Sequence, residues 1–253
     1  MNLLKDIQSR KKLNRKSLAV LIDPDKVEDP NSILNLIALA KECYVDFFFV
    51  GGSLLTQDNF QPIVKLLKEK CDIPVILFPG NNMQISNSAD AILFLSLISG
   101  RNPDFLIGQH VNAAPLLKRS NLEVIPTGYL LINSENNSAA SYMSNTVPIP
   151  ADKYSIASST ALAGEYLGMG MIYLDAGSGA KECITPKMIR KVSETITVPL
   201  IVGGGIRSGT SANESLKAGA DIIVIGNAIE KNPNLMIEVS EKIYDFNKTL
   251  NIH

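Results

Sequence analysis

The chain has 253 residues, 45% of them hydrophobic and 19% charged, a composition that excludes a disordered or heavily solvated polypeptide. That length suits one (β/α)8 barrel, one α/β sandwich, or two domains of about 125 residues each. Lys+Arg 24 against Asp+Glu 25 leaves a net charge of −1, which excludes the broad basic footprint of a nucleic-acid binder. An anionic ligand must therefore be held locally, by backbone donors, a metal or a few chosen side chains.

The first segment, MNLLKDIQSRKKLNRKS, has scattered charges and no long apolar core, so it reads as an amphipathic helix and not as a signal peptide. Short apolar runs then alternate with longer stretches of helical spacing. Strands are predicted at 17–22, 46–51, 74–80, 89–95, 123–132, 170–177, 198–205 and 220–227, each nearly continuously apolar, as where both faces of a sheet are covered. Helices are predicted at 31–42, 59–70, 151–167, 186–195, 208–218 and 232–248. Thr185 followed by Pro186 reads as an N-cap with proline in the first turn, and Gly219 falls where a left-handed C-cap belongs. Strand–helix alternation implies parallel strands joined by right-handed crossovers. Eight such units in this length predict a modified (β/α)8 TIM barrel, one domain over 1–253. Only residues 81–88 separate the third and fourth strands, so that crossover should be irregular. Cys43, Cys71 and Cys183 are far apart with no CxxC pair, which argues against a zinc site or disulfide framework. No apolar run reaches the ~18 residues of a membrane span, and a cytoplasmic setting is expected.

In such a barrel the reactive groups lie on the loops after the strands. The first end carries Asp23 followed by Pro24, and the second carries Gly51, Gly52 and Ser53. One carboxylate plus one hydroxyl, completed by waters and ligand phosphates, is a common way to hold Mg²⁺. A capped turn and a tight glycine loop are the plain structural alternatives. The sixth end reads Tyr173-Leu174-Asp175-Ala176-Gly177-Ser178-Gly179. Its Gly-Ser-Gly turn can present N–H groups to a phosphate, and Asp175 is placed to accept a proton from a bound hydroxyl. The seventh end has Gly203, Gly204 and Gly205, and the eighth has Gly226 and Asn227. Glycine-rich ends in three consecutive units predict a phosphate site there. The third, fourth and fifth ends are mostly apolar and would surround a greasy part of a substrate. Arg101 and Gln109 are polar groups nearby, and His110, inside a predicted helix, reads as structural or solvent-facing.

Nine segments together resemble the geranylgeranylglyceryl phosphate synthase family and its bacterial heptaprenylglyceryl phosphate relatives. They are IDPDK (22–26), VGGS (50–53), LFPGN (77–81), SGRNPDFLIGQ (99–109), PTGYLLI (126–132), AGEYLGM (163–169), YLDAGSG (173–179), VGGGIRS (202–208) and IGN (225–227). Leu21 stands where a lysine is found in the family's first group, so the chain is similar to the second. The resemblance implies Mg²⁺-dependent transfer of a prenyl group, geranylgeranyl or similar, from its diphosphate to the C3 hydroxyl of sn-glycerol 1-phosphate, in the synthesis of an ether lipid. By position it implies that Asp23 and Ser53 carry Mg²⁺. Tyr173 through Gly179, Gly204, Gly205, Gly226 and Asn227 would contact glycerol 1-phosphate, with Asp175, often Glu in the family, as catalytic base. It also implies a homo-oligomer, dimer or hexamer, working near a membrane surface without an anchor. The alternatives on the residues alone are a phosphosugar isomerase or aldolase-like barrel and a non-catalytic phosphate-binding protein.

Overall fold

The computed structural model describes residues 2–27, 29–133, 138–226, 228–229 and 232–252. Each predicted apolar run becomes a strand: β1 (Ser17–Ile22), β2 (Phe47–Val50), β3 (Val75–Leu77), β4 (Ala91–Leu97), β5 (Glu123–Asn133), then β7 (Met171–Asp175), β8 (Leu200–Gly203) and β9 (Ile222–Ile225). A short extra strand, β6 (Ile149–Pro150), lies between β5 and β7 in the chain. The spatial order is β4-β3-β2-β1-β9-β8-β7-β5, and β5 pairs back onto β4, so eight parallel strands close into a barrel. The β6 strand pairs with the far end of β5, outside the ring.

Side chains alternate across each strand. Phe47, Phe49, Ile76, Leu93, Ile125, Tyr173, Ile201 and Val224 fill the barrel interior. Their neighbours, such as Phe48, Val50, Leu77, Ile172, Leu174 and Val202, pack outward beneath the helices. Both sets are buried, which is why the runs are apolar without alternation.

The helices are α1 (Leu3–Lys12), α2 (Pro30–Glu42), α3 (Phe60–Lys70), α4 (Gln109–Arg119), α5 (Ala139–Ser144), α6 (Tyr154–Tyr166), α7 (Pro186–Ser193), α8 (Gly209–Lys217) and α9 (Asn234–Lys248). Thr185 caps α7, its hydroxyl accepting from the Met188 amide at 3.3 Å. Gly219 has φ +113°, and a side chain there would collide with Ser193. No helix joins β3 to β4: residues 78–90 form turns and coil. The irregular third crossover is thus present, and the outer face of β4 packs against the segment that follows that strand, the Ser96 hydroxyl donating to the Leu106 carbonyl at 2.9 Å. A five-residue π-helix (Asp104–Gly108) before α4, together with α5 and β6, has no counterpart in the predicted elements.

At the N-terminal end of the barrel, α1 acts as a stopper. Its Leu3 and Ile7 join the interior cluster, and the Glu123 carboxylate accepts from the Leu3 and Leu4 amides at 2.6 and 2.9 Å. Asp221, 5% exposed, accepts from Lys16 (3.1 Å), Lys11 (2.8 Å) and the Leu200 amide (2.9 Å). Among the described residues no helix is long and apolar enough to cross a membrane.

Candidate active site at the glycine-rich end

Strands β7 and β8 are neighbours with Asp175 opposite Gly203, so the sixth and seventh turns lie against each other. Gly204 and Gly205 have φ +78° and +72°, a region that costs an L-residue roughly 1–2 kcal/mol. Space forbids a side chain as well. A Cβ on Gly204 would stand 2.6 Å from an Asp175 carboxylate oxygen and 2.8 Å from the Ala176 nitrogen, and one on Gly205 would strike the Glu182 carbonyl. Gly177 and Gly179 also have positive φ, +94° and +76°. Arg207 ties the two turns together, donating to the Ala180 carbonyl at 2.8 Å.

The turns do not offer every amide that the sequence suggested. Ala176 N–H donates to the Gly203 carbonyl at 3.1 Å, because the ladder continues one residue past the strands. Gly177 N–H donates to the Asp175 carboxylate at 2.8 Å, an Asx-type turn of the kind short acidic side chains form. These two are corrected from free anion donors to internal ones. Among the described residues the Gly179, Gly204 and Gly205 amides make no hydrogen bond, and they remain as donors. The Leu174 side chain is fully buried in the outer cluster beneath the helices, since its parity on β7 points it away from the barrel mouth, which leaves only its backbone toward the turn. Tyr173 lies in the interior, 1% exposed, its ring 5.4 Å from those of Phe78 and Tyr129, and its hydroxyl sits beneath Gly203. Gly226 rests against Leu21 of β1. Asn227 lies outside the described residues.

Asp175 is 8% exposed. One carboxylate oxygen accepts from Gly177 and the other from the Tyr129 hydroxyl. Burial pushes its pKa above the ordinary carboxylate range, and the two hydrogen bonds hold it back only in part. Burial, with the adjacent Asp175, keeps the Tyr129 hydroxyl protonated far into the alkaline range. Tyr129 was not singled out as a polar group in the sequence, where it sits in an apolar run. Its place as the seventh residue of β5, on the inward parity, is the signal that would have found it.

On the opposite side of the mouth, Asp23 heads the short turn after β1 and caps it, accepting from the Asp25 amide at 3.2 Å. One carboxylate oxygen would be 3.0 Å from a Cβ on Gly52, and the other lies 3.6 Å from the Lys26 ammonium. Asp23 therefore does cap a turn, and it also faces the Gly52–Ser53 loop. Asp25 holds that loop in place, accepting from the Thr56 amide (2.6 Å), the Thr56 hydroxyl (2.8 Å) and the Gln57 amide (3.2 Å). Desolvation would raise the Asp25 carboxyl, but the bonds from Thr56 and Gln57 outweigh it and keep its pKa below the usual range. Gln84, 2% exposed, clamps the second and third ends by donating to the Gly52 carbonyl (2.8 Å) and accepting from the Gly80 amide (3.1 Å). Gln84 could not be singled out from the residues alone, because a glutamine in an irregular crossover has no periodicity to mark it. Among the described residues no three His, Cys, Asp or Glu side chains converge into a metal cage.

Between these two sides opens an apolar groove. It begins at Gly52 and Ser53, passes Phe78, Tyr129 and Leu131, and runs outward along Leu93, Phe94 and Phe105 to His110 and Ala113. Phe94 and Ile92 line it from the outer face of β4. His110 is buried with its ring edge-on to Phe94 at 4.4 Å. Burial lowers its pKa and favours the neutral imidazole, as suits a wall residue.

The chain is similar to known proteins over most of its length. The sequence profile of the PcrB family matches residues 11–244. The chain is 50% identical over 250 residues to the geranylgeranylglyceryl phosphate synthase of Spirosoma linguale, covering 99% of both chains. It is 53% identical over 235 residues to that of Chitinophaga pinensis, covering 93% of each. The crystal structure of (S)-3-O-geranylgeranylglyceryl phosphate synthase from Thermoplasma acidophilum, in complex with its substrate sn-glycerol-1-phosphate, superposes with a TM-score of 0.90 at 32% identity, over 97% of this chain and 99% of that one.

Proposed function

The chain belongs to the PcrB family, with the geranylgeranylglyceryl phosphate synthases, and from that premise we propose how its barrel mouth transfers a geranylgeranyl group from its diphosphate to the C3 hydroxyl of sn-glycerol 1-phosphate. The observation that carries the reading is a juxtaposition. Tyr129 lines the apolar groove with its ring and meets the Asp175 carboxylate with its hydroxyl, so a tail in the groove and an alcohol at the glycine turns would meet at one place.

The glycerol phosphate would sit on the free amides of Gly179, Gly204 and Gly205, where fixed N–H dipoles hold an anion without a lysine or arginine. The prenyl tail would lie in the groove, each buried methylene contributing roughly 0.8 kcal/mol. Asp23 with Ser53 suits Mg²⁺: both offer hard oxygens, one charged and one neutral, and a single carboxylate leaves most positions for water and diphosphate. Bound there, Mg²⁺ would neutralise the charge that develops on the departing diphosphate.

As the bond from C1 to the diphosphate oxygen breaks, its electron pair leaves with the diphosphate. The glycerol oxygen forms the new bond to C1, and its proton passes to Asp175. The raised pKa of Asp175 makes it a stronger base than an exposed aspartate. Phe78 and Tyr129 present aromatic rings at the head of the groove, whose π-faces favour positive charge on the allylic carbon. Much of the acceleration would come from holding both substrates in line. A Schiff-base aldolase reading finds no support in the site, since the Lys26 ammonium is engaged by Asp23.

The deciding experiment incubates the protein with Mg²⁺, sn-glycerol 1-phosphate and prenyl diphosphates of several lengths, with product masses read out. A prenylglyceryl phosphate is expected, most efficiently from geranylgeranyl diphosphate. Absence of any such ether product would overturn the reading.

A further inference from the structure

The hydroxyl of Tyr129 is the one side-chain partner of Asp175 among the described residues. It reaches the carboxylate from a different strand, β5, and not from the turn that carries the base. The same residue forms part of the groove wall. Its ring is fixed on two sides, edge-on to Tyr173 at 5.4 Å and to Phe78 at 5.8 Å. The groove borders what remains. Hydrocarbon in the groove would pack against a ring whose hydroxyl already bonds the carboxylate, and so would restrain that bond.

We propose that Tyr129 is a positioning residue that couples occupancy of the apolar groove to the orientation of the Asp175 carboxylate. The inference rests on the reading of Asp175 as base. Asp175 has two oxygens, and the Gly177 amide takes one. With Tyr129 holding the other, the carboxylate cannot turn about its bond, and its remaining lone pairs point along fixed directions toward the glycine turns. Without the Tyr129 bond the carboxylate is free to rotate and to fall out of line with the alcohol.

Among the described residues, the groups that titrate or carry charge beside Asp175 are Tyr129 on β5 and Tyr173 on its own strand, and from the seventh turn the backbone of Gly204 approaches. Removing the Tyr129 hydroxyl deletes a bond that favours the ionised carboxylate, so the pKa of Asp175 rises further. The acid limb of the turnover profile should then move to higher pH.

Tyr129→Phe keeps the ring in the groove and deletes only the hydroxyl. The single-turnover rate at saturating substrates should fall on the order of 10–100-fold, the scale on which loss of a group that orients a reacting residue is felt. KM for geranylgeranyl diphosphate should stay within about twofold, as the groove wall is unchanged. The acid limb should shift upward. Wild-type rate and an unmoved acid limb in Tyr129→Phe would overturn the coupling. A measurement on the unaltered protein stands beside it. With dimethylallyl diphosphate, too short to fill the groove, the acid limb should lie at higher pH than with geranylgeranyl diphosphate, and coincident limbs would equally overturn the proposal. Asp175→Asn separates the two layers. If it retains turnover, the base reading itself fails; if it abolishes turnover while Tyr129→Phe behaves as wild type, only the coupling fails.

Discussion

The two ends of this barrel are built on opposite principles. At the N-terminal end, charges are buried and paired. Asp221 collects two ammonium groups and a backbone amide, Arg10 bridges Asp6 and Asp46, and α1 closes the opening with Leu3 and Ile7. At the C-terminal end the chain keeps glycines at positive φ and, among the described residues, leaves amides without partners and buries Asp175 with hydrogen bonds but no cation. One end spends its polar groups on holding the fold together; the other leaves them available to a ligand. A mutation should therefore be felt as stability at one end and as turnover at the other.

The sharpest contrast comes from two carboxylates. Asp175→Asn should lower single-turnover rates by about 10²–10⁴-fold, the usual range for a positioned proton acceptor, while thermal unfolding shows no loss of stability. Asp221→Ala should do the reverse. Stranding Lys16, 3% exposed, without its partner costs about 3–5 kcal/mol, readable by denaturant unfolding, with the folded fraction turning over as before. Loss of activity in folded Asp221→Ala would break the comparison.

Gly204→Val tests where the two principles overlap. Strain at positive φ and the clash with Asp175 should cost about 1–3 kcal/mol of stability and abolish glycerol phosphate binding by calorimetry. Normal affinity would place the anion elsewhere. Asp23→Ala should weaken Mg²⁺-dependent use of prenyl diphosphate by on the order of 10²-fold and leave glycerol phosphate binding intact. Unaltered dependence of the rate on Mg²⁺ would remove it as a ligand.

The smallest effect is one of pH. Asp175 has a pKa raised by burial, so folding favours its protonated form. Its ionisation burdens the fold above that pKa, and the burden lifts as pH falls through it. With Asp175 as the proposed base, turnover would require the ionised form. Mild acidification between that raised pKa and the ordinary carboxylate range should thus slow the reaction while the fold, on this residue's account, becomes more stable. Asp25 has the opposite sign: its lowered pKa contributes stability that is lost only as pH falls through that lower value.

Much of this was legible in the chain. Eight apolar runs of strand length, Thr185-Pro186 and Gly219 mark local preferences that do not depend on distant partners, and all took the expected form. The short link between the third and fourth strands showed that a helix was missing there. It could not show that Ile92 and Phe94 line a groove, because that depends on what packs over β4 from elsewhere in the chain. The glycine turns were visible as composition, but not which amides survive internal pairing. Ala176 and Gly177 lose theirs to Gly203 and Asp175, the first through a ladder between strands far apart in sequence.

Local patterns were enough to read the barrel, its order of units and the end that carries the candidate site, since strand period, turn residues and crossover length are properties of short stretches. Only the tertiary structure decided which way Leu174 faces, that Gln84 and Asp25 brace the loop beside Asp23, and that Tyr129 meets Asp175. Those are contacts between residues tens of positions apart. Their existence depends on the relative placement of strands in a closed ring, which no local pattern encodes.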